Sequence, residues 1–255
     1  MYFTRFPINM SRRGTRGMLA SPYRLHAAIA ASSPSHREGD ASNEGRVLWR
    51  IDSDPDGLAS LLYIISPIEP NLVALDSQIG WPNKAKQWAT KCYDPFLERI
   101  SVGQRFTFRL VANPTVNRSA GGGKGDIATT NGRSKRIGHL TTLQQAAWLV
   151  GKDVYKGREA RVPDVFASQS TSRALRNGFR VIDDSFGNMQ MVVSHSKKQS
   201  FKRGSGGKRI TLTTAQYDGV LEVIDPDLLR GALVRGIGHA KGFGCGLLTI
   251  AYLGS

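Results

Sequence analysis

The sequence is short of acids and cysteines and has no long apolar run. Only 20 of its 255 residues are Asp or Glu, against 35 Lys or Arg, for a formal net charge of +15. Such an excess opposes compaction slightly and attracts polyanions strongly. Nucleic acid is therefore the first partner to consider, and an anionic membrane surface the second. The two cysteines, Cys92 and Cys245, have no metal-ligand spacing and form no disulfide framework. They read as small buried side chains in a reducing cytoplasm. No C-x-x-C or H-x-x-x-H pattern exists, so no metal site is expected. No apolar run is long enough to cross a bilayer. The opening MYFTRFPINMSRRG is broken by charge and proline, so a signal peptide is not expected either and the protein reads as cytoplasmic. No glycine-rich stretch ends in G-K-[ST], which excludes a Walker-type loop, and no cofactor is expected.

The charge is segregated. Residues 1–37 carry six arginines, and no acid occurs before Glu38. Between Arg99 and Gly138 eight cations face one acid, Asp126. Between Ser185 and Tyr217 there is no acid, while Lys197, Lys198, Lys202, Arg203, Lys208 and Arg209 are all cationic. This pattern suggests a binding surface more than a uniformly solvated exterior.

The length fits one large domain or two small ones. Tyr2–Asn9 reads as a strand, followed by an arginine-rich loop. Ser21 is an N-cap and Pro22 a first helical residue, so a helix runs from Pro22 to about Ser33. Strands follow at Arg46–Asp52 and Ser60–Ser66, then a helix at Leu72–Gln78 and a strand at Phe96–Ile100. That order is β-α-β-β-α-β, the ferredoxin-like pattern. A second pass begins with a strand at Gln104–Ala112 and a helix at Thr141–Tyr155 with Leu143, Ala147 and Val150 on one face. Strands at Phe179–Asp183, Asn188–Ser194 and Ile210–Ile224 follow, then a helix at Asp225–Arg235 and a strand at Cys245–Tyr252. The expected fold class is thus α+β, with two tandem ferredoxin-like (RRM-like) domains over residues 1–100 and 101–255. Pro114–Leu140 reads as a basic loop, and Ser196–Lys208 as a hairpin tip or an adjoining loop.

Tyr23 and His26 are three residues apart and share one helical face, while Leu25 and Ile29 form a buried stripe on another. Arg24 adds a cation, and a helix N-terminus itself favours phosphate. Metal-free RNA cleavage needs the ribose 2′-OH to lose a proton and attack phosphorus, and the departing 5′-oxygen to gain one. A histidine can perform either transfer near neutral pH. A tyrosine hydroxyl can orient the nucleophile or donate to the phosphate, and cations stabilise the charge building on phosphorus. Such a pair on a helix is, by itself, more often structural than catalytic. His36 and His139 sit in polar loops, His195 beside a lysine pair and His239 in a glycine-rich segment. There, five glycines fall between 236 and 246. Gly238, Gly244 and Gly246 would leave backbone N–H groups open to a phosphate, with Lys241 adding charge; the plain alternative is a turn. The basic stretch from Lys197 to Arg209 could lie along the phosphates lining the deep groove of A-form RNA, or be a solvated loop.

Four stretches together resemble the CRISPR-associated endoribonucleases of the CasE (Cse-type) subfamily of type I-E systems. They are Met1–Arg5 (MYFTR), Pro22–His26 (PYRLH), Phe108–Pro114 (FRLVANP) with Ala147-Trp148-Leu149, and Tyr217–Pro226 (YDGVLEVIDP) leading into Gly236–Gly246, which has the form G-h-G-x5-G-h-G. The resemblance implies tandem ferredoxin-like domains and metal-independent cleavage of the CRISPR precursor transcript at the base of each repeat hairpin. The products would be a 5′-hydroxyl and a 2′,3′-cyclic phosphate. It implies His26 as the catalytic histidine, Tyr23 as its assistant, and Lys197 and Lys198 in the RNA-reading hairpin. It also implies Arg109 as an RNA contact, retention of the product, and assembly with other subunits of a type I-E surveillance complex. Val111 stands where a second arginine is usual, and the helix after His26 offers no cation. Two further readings remain: a non-catalytic structured-RNA-binding subunit on the same fold, and a basic DNA-binding or ribosome-associated protein. The last explains the charge but not Tyr23 and His26 beside a glycine loop.

Overall fold

The computed structural model describes residues 1–33, 46–53, 60–82, 87–118, 135–151, 172–202, 207 and 209–254. The chain begins with strand β1 (Tyr2–Ile8), whose alternation puts Thr4, Phe6 and Ile8 in the core. Two helices follow, α1 (Arg13–Leu19) and α2 (Pro22–Ala31). Then come β2 (Leu48–Ser53), β3 (Ser60–Ser66), α3 (Val73–Ile79), β4 (Ala89–Cys92) and α4 (Asp94–Glu98). The four strands form one antiparallel sheet in the order β2-β3-β1-β4, the ferredoxin-like arrangement.

The second half repeats it. Strand β5 (Arg105–Ala112) is followed by a small hairpin, β6 (Thr115–Arg118) with β7 (Lys135–Gly138), and by α5 (Thr142–Val150) and α6 (Arg173–Arg176). Next are β8 (Phe179–Val181), β9 (Met191–Lys202), β10 (Arg209–Val223), α7 (Pro226–Arg235), a single 3-10 turn at Lys241–Phe243, and β11 (Leu248–Tyr252). The second sheet has the order β11-β5-β10-β8, with β9 paired to β10. The fold is therefore α+β with two ferredoxin-like units in tandem. Among the described residues neither sheet borrows a strand from the other half, and we propose the domain boundary at residue 100.

Two apolar layers hold the first unit. Leu25 and Ile29 of α2, with Leu72, Leu75 and Ile79, pack on Phe6, Ile8, Trp49, Leu62 and Ile64. Each such side chain contributes about 1.5–3 kcal/mol on burial. The opposite face of that sheet meets the second unit, where Leu48, Ile65 and Tyr93 join the larger core around Phe106, Leu110 and Tyr217. A run of touching aromatic rings crosses the join: Tyr63, Phe3, Tyr93, Phe96, Phe106 and Tyr252.

Arg50 fastens the two units. It is 3% exposed, and all five of its N–H donors are used. Nε and Nη2 donate to the two oxygens of Asp52 at 2.6 and 2.8 Å. Nη1 donates to the carbonyls of Arg109 and Leu247 at 2.9 and 3.1 Å, and Nη2 also to Thr249 Oγ1 at 2.9 Å.

The structure departs from the sequence reading in several places. The arginine-rich loop contains α1. Buried Thr15 donates its hydroxyl to the Asn9 carbonyl at 2.8 Å, and Arg12 reaches the Gly80 carbonyl at 3.1 Å; these tertiary contacts override the low helix propensity of Gly14 and Gly17. Phe96–Ile100 is not a strand. Asp94-Pro95 starts the helix α4 instead, because proline is pre-set for a first helical turn. The closing strand is β4, an edge strand of largely exposed residues with no apolar alternation to reveal it. In α5, Leu143 is exposed and the buried residues are Gln145, Ala146, Trp148, Leu149 and Val150. The helix closes at Gly151, and its expected extension to Tyr155 lies outside the described residues. Cys92 is exposed rather than buried. Most of the basic loop at 114–140, and His36, also fall outside the described residues.

Candidate active site

Helix α2 is built by local rules. The Ser21 hydroxyl accepts the Arg24 N–H at 3.4 Å and Pro22 occupies the first turn. The burial of Leu25 and Ile29 fixes the helix rotation. Tyr23 and His26 therefore look away from that core, towards the C-terminal glycine segment, while Arg24 is exposed.

His26 is half-buried between two partners the sequence did not connect. On one side, Trp49 of β2 donates its indole N–H to His26 Nδ1 at 3.2 Å. On the other lies the 3-10 turn. A β-carbon on Gly242 would stand 3.2 Å from His26 Nε2, and one on Gly244 would stand 2.7 Å from the Trp49 ring. Gly244 also has φ +81°, a conformation that disfavours any side chain. The two glycines let the loop approach the His26–Trp49 pair at backbone distance. Replacing Gly244 with alanine is expected to displace Trp49 and cost about 1–3 kcal/mol, read as a lowered melting temperature.

Other loop groups are already engaged. The Gly246 N–H donates to the Val111 carbonyl at 2.7 Å, and the Ile237 N–H to the Gly246 carbonyl at 2.9 Å. Gly238 rests on Trp148, whose ring would be 3.0 Å from an added β-carbon. In this segment close approach accounts for the glycines at least as well as open N–H donors do. Burial, then the neighbouring charges of Arg46 and Arg235, hold the Lys241 ammonium below the usual lysine range. Three cations thus converge where an anion would relieve their repulsion. Burial pushes the Cys245 thiol up to about 12, which makes it an inert packing group.

The basic stretch is a strand pair. β9 and β10 run together to Lys202 and Arg209, with Lys198 opposite Thr213 and Lys202 opposite Arg209. Lys198, Lys202 and Arg209 therefore share one face, with about 13 Å between the two lysines along the strand. The other face carries Phe201, Ile210 and Leu212, which pack with Tyr23, Phe243 and Cys245. The Phe201 and Phe243 ring centres are 5.1 Å apart, edge to face. A bulge between Thr214 and Gln216, opposite His195 at φ +48°, marks where the arm changes register as it leaves the sheet. Lys197, Lys198, Lys202 and Arg209 are all exposed; Arg203 and Lys208 lie outside the described residues.

Arg109 is placed elsewhere. It is paired with Asp218 and, at 3.4 Å, with Asp52, beside the Arg50 contacts. Desolvation works against its charge, but the two carboxylates outweigh it and raise its pKa. Its visible role is in the join between the two units. His239 is exposed, and His195 Nδ1 is 2.9 Å from the Ser194 hydroxyl. The sequence reading missed Trp49, Gly242, Phe201 and Arg50. Of these, Gly242 and Phe201 lay inside segments already singled out.

Known proteins resemble this chain. The model of the family described as CRISPR associated protein matches residues 1–252. The chain is 28% identical over 256 residues to the CRISPR-associated endoribonuclease Cse3 of Thermus thermophilus, covering 98% of this chain and 100% of that protein. It is 30% identical over 159 residues to the CRISPR system Cascade subunit CasE of Escherichia coli, covering 61% of this chain and 62% of that protein. A solved structure of the CRISPR endoribonuclease Cse3 bound to 19 nt RNA has a TM-score of 0.68 at 23% identity, covering 98% of this chain and 100% of that one; at that identity the likeness speaks for the fold. By the match that spans nearly its whole length, the chain belongs to the CRISPR associated protein family.

Proposed function

We propose that the protein is a metal-independent endoribonuclease that binds the CRISPR repeat hairpin and cuts the precursor transcript in the cytoplasm. The 2′-oxygen loses its proton and bonds to phosphorus, the P–O5′ bond breaks, and the 5′-oxygen takes up a proton. The products are a 5′-hydroxyl end and a 2′,3′-cyclic phosphate, and the enzyme keeps the hairpin product. The names of the relatives support RNA cleavage and a place beside other subunits of a type I-E surveillance complex.

The observation that carries this reading is the convergence at α2. His26 lies against the glycine turn, and the basic strand pair packs through Phe201 and Leu212 onto Tyr23 one turn away. RNA gripped by this arm would be held near the histidine, although Lys198, Lys202 and Arg209 themselves stand on the arm's outer face, away from α2. His26 provides the proton-handling group, Tyr23 assists, and Lys241 with Arg46 and Arg235 counters phosphate charge. Incubating pure protein with end-labelled repeat RNA tests the reading. A single cut at the hairpin base supports it; an uncut but bound repeat at every pH favours the non-catalytic RNA-binding subunit.

The strand pair makes its own prediction. Replacing Lys198 and Lys202 with alanine should weaken hairpin binding and flatten the log-log dependence of affinity on salt by about one for each lysine removed. A titration at several salt concentrations measures both, and an unchanged slope would remove these lysines from the RNA surface.

A further inference from the structure

The contact between Trp49 and His26 decides more than ring orientation. An indole nitrogen can only donate a hydrogen bond. With Trp49 Nε1 at 3.2 Å from His26 Nδ1, that ring nitrogen must present its lone pair. The proton of the neutral imidazole then resides on Nε2, the nitrogen facing Gly242. Trp49 is itself held on both sides. It is 4% exposed in the core beneath α2, and Gly244 abuts its ring. The indole cannot swing away without displacing either the sheet or the glycine turn.

We propose that Trp49 is a positioning residue for RNA cleavage: its indole N–H fixes His26 in the Nε2–H tautomer, so that His26 meets the scissile phosphodiester as a hydrogen-bond donor and not as the base that takes the 2′ proton. This rests on the reading of His26 as the catalytic histidine. A neutral imidazole whose tautomer is fixed by its surroundings is an established kind of electrophile, polarising an oxygen that gains negative charge. Here that oxygen is the 5′-oxygen, which gains charge as its bond to phosphorus lengthens.

The test uses the full chain, 15N-labelled at histidine, together with two RNA substrates. One is the ordinary repeat hairpin. The other carries sulfur in place of the bridging 5′-oxygen at the scissile bond. A thiolate leaves without a donor, because a thiol is a much stronger acid than an alcohol. In the wild-type protein, imidazole 15N–1H correlations should place the His26 proton on Nε2 and leave Nδ1 bare. In Trp49→Phe that preference should be lost, with kcat on the ordinary RNA down about tenfold, the equivalent of one hydrogen bond, and KM unchanged. The sulfur substrate should close the gap for Trp49→Phe and for His26→Ala alike. A proton on Nδ1 in the wild type, or a His26→Ala defect that persists on the sulfur substrate, would overturn the proposal. Neither measurement depends on the tryptophan variant folding. If His26→Ala cuts the ordinary repeat at the wild-type rate, it is the underlying assignment of His26 that fails, and this shows without either probe.

Discussion

Replacing His26 with alanine is expected to slow cleavage of the repeat RNA by about 10²–10⁴-fold, the usual contribution of a positioned proton-handling or donor group. Hairpin affinity should stay near that of the wild type. The separation follows from the structure. The exposed cations of the strand pair, Lys198, Lys202 and Arg209, stand on a face of β9 and β10 away from α2. His26 is half-buried and contributes little surface to RNA binding. The alanine variant keeps the helix, since alanine is the best helix former and the anchoring residues Leu25 and Ile29 are untouched. Single-turnover cleavage with saturating protein, paired with a binding titration, reads the two effects apart. A loss of binding equal to the loss of cleavage would mean that the histidine is a contact residue and not a catalytic one.

Replacing Arg50 with alanine is expected to destabilise the protein by about 3–5 kcal/mol, the usual cost of breaking a buried, fully bonded ion pair. In a chain of this size that lowers the melting temperature by roughly 10 °C. The variant leaves Asp52 with Arg109 at 3.4 Å, strands the carbonyl of Leu247 at the join, and takes one partner from the Thr249 hydroxyl, which still donates to the Arg109 carbonyl. Arg50→Lys should recover only part of the loss, because an ammonium has three donors against the five of a guanidinium and cannot span both oxygens of Asp52 in the same plane. Thermal unfolding followed by circular dichroism measures the series. A melting temperature within a degree or two of the wild type for Arg50→Ala would show that the aromatic run and the shared core hold the two units together without it.

Much of this architecture can be read from the sequence. Periodicity and turn chemistry locate β1, α2, β3 and α7 to within a residue or two at their starts, since each carries a plain signal: alternation in Tyr2–Ile8, a Ser-Pro start at Ser21, and an Asp-Pro start at Asp225. The repeated β-α-β-β-α-β order then indicates the tandem fold. Elements whose stability comes from elsewhere are silent. β4 is an exposed edge strand, and α1 is held by Thr15 and Arg12 reaching distant backbone carbonyls.

The same division applies to the site. Tyr23 and His26 are visible as a pair because helical spacing links them, and the glycine segment is visible from its composition. Trp49 is invisible because no periodicity relates it to His26; only the pairing of β2 with β3, and of β3 with β1, sets it under α2. Arg109 illustrates the reverse. The resemblance makes it an RNA contact; what the sequence does not show is its pairing, which the register of β5 against β10 sets by placing it opposite Asp218. Phe201 lies inside a run read as hairpin or loop, so its role as the hinge pin between the basic arm and the glycine turn required the fold.

The central claim is that this site cuts RNA with its own side chains through attack by the neighbouring 2′-hydroxyl. End analysis of repeat RNA cut by the wild-type protein in excess EDTA tests it most directly. The account predicts undiminished cleavage, a 5′-hydroxyl on the downstream fragment that a kinase labels without prior phosphatase, and a 2′,3′-cyclic phosphate on the upstream one. Cleavage that stops on chelation, or a 5′-phosphate on the downstream fragment, would contradict it.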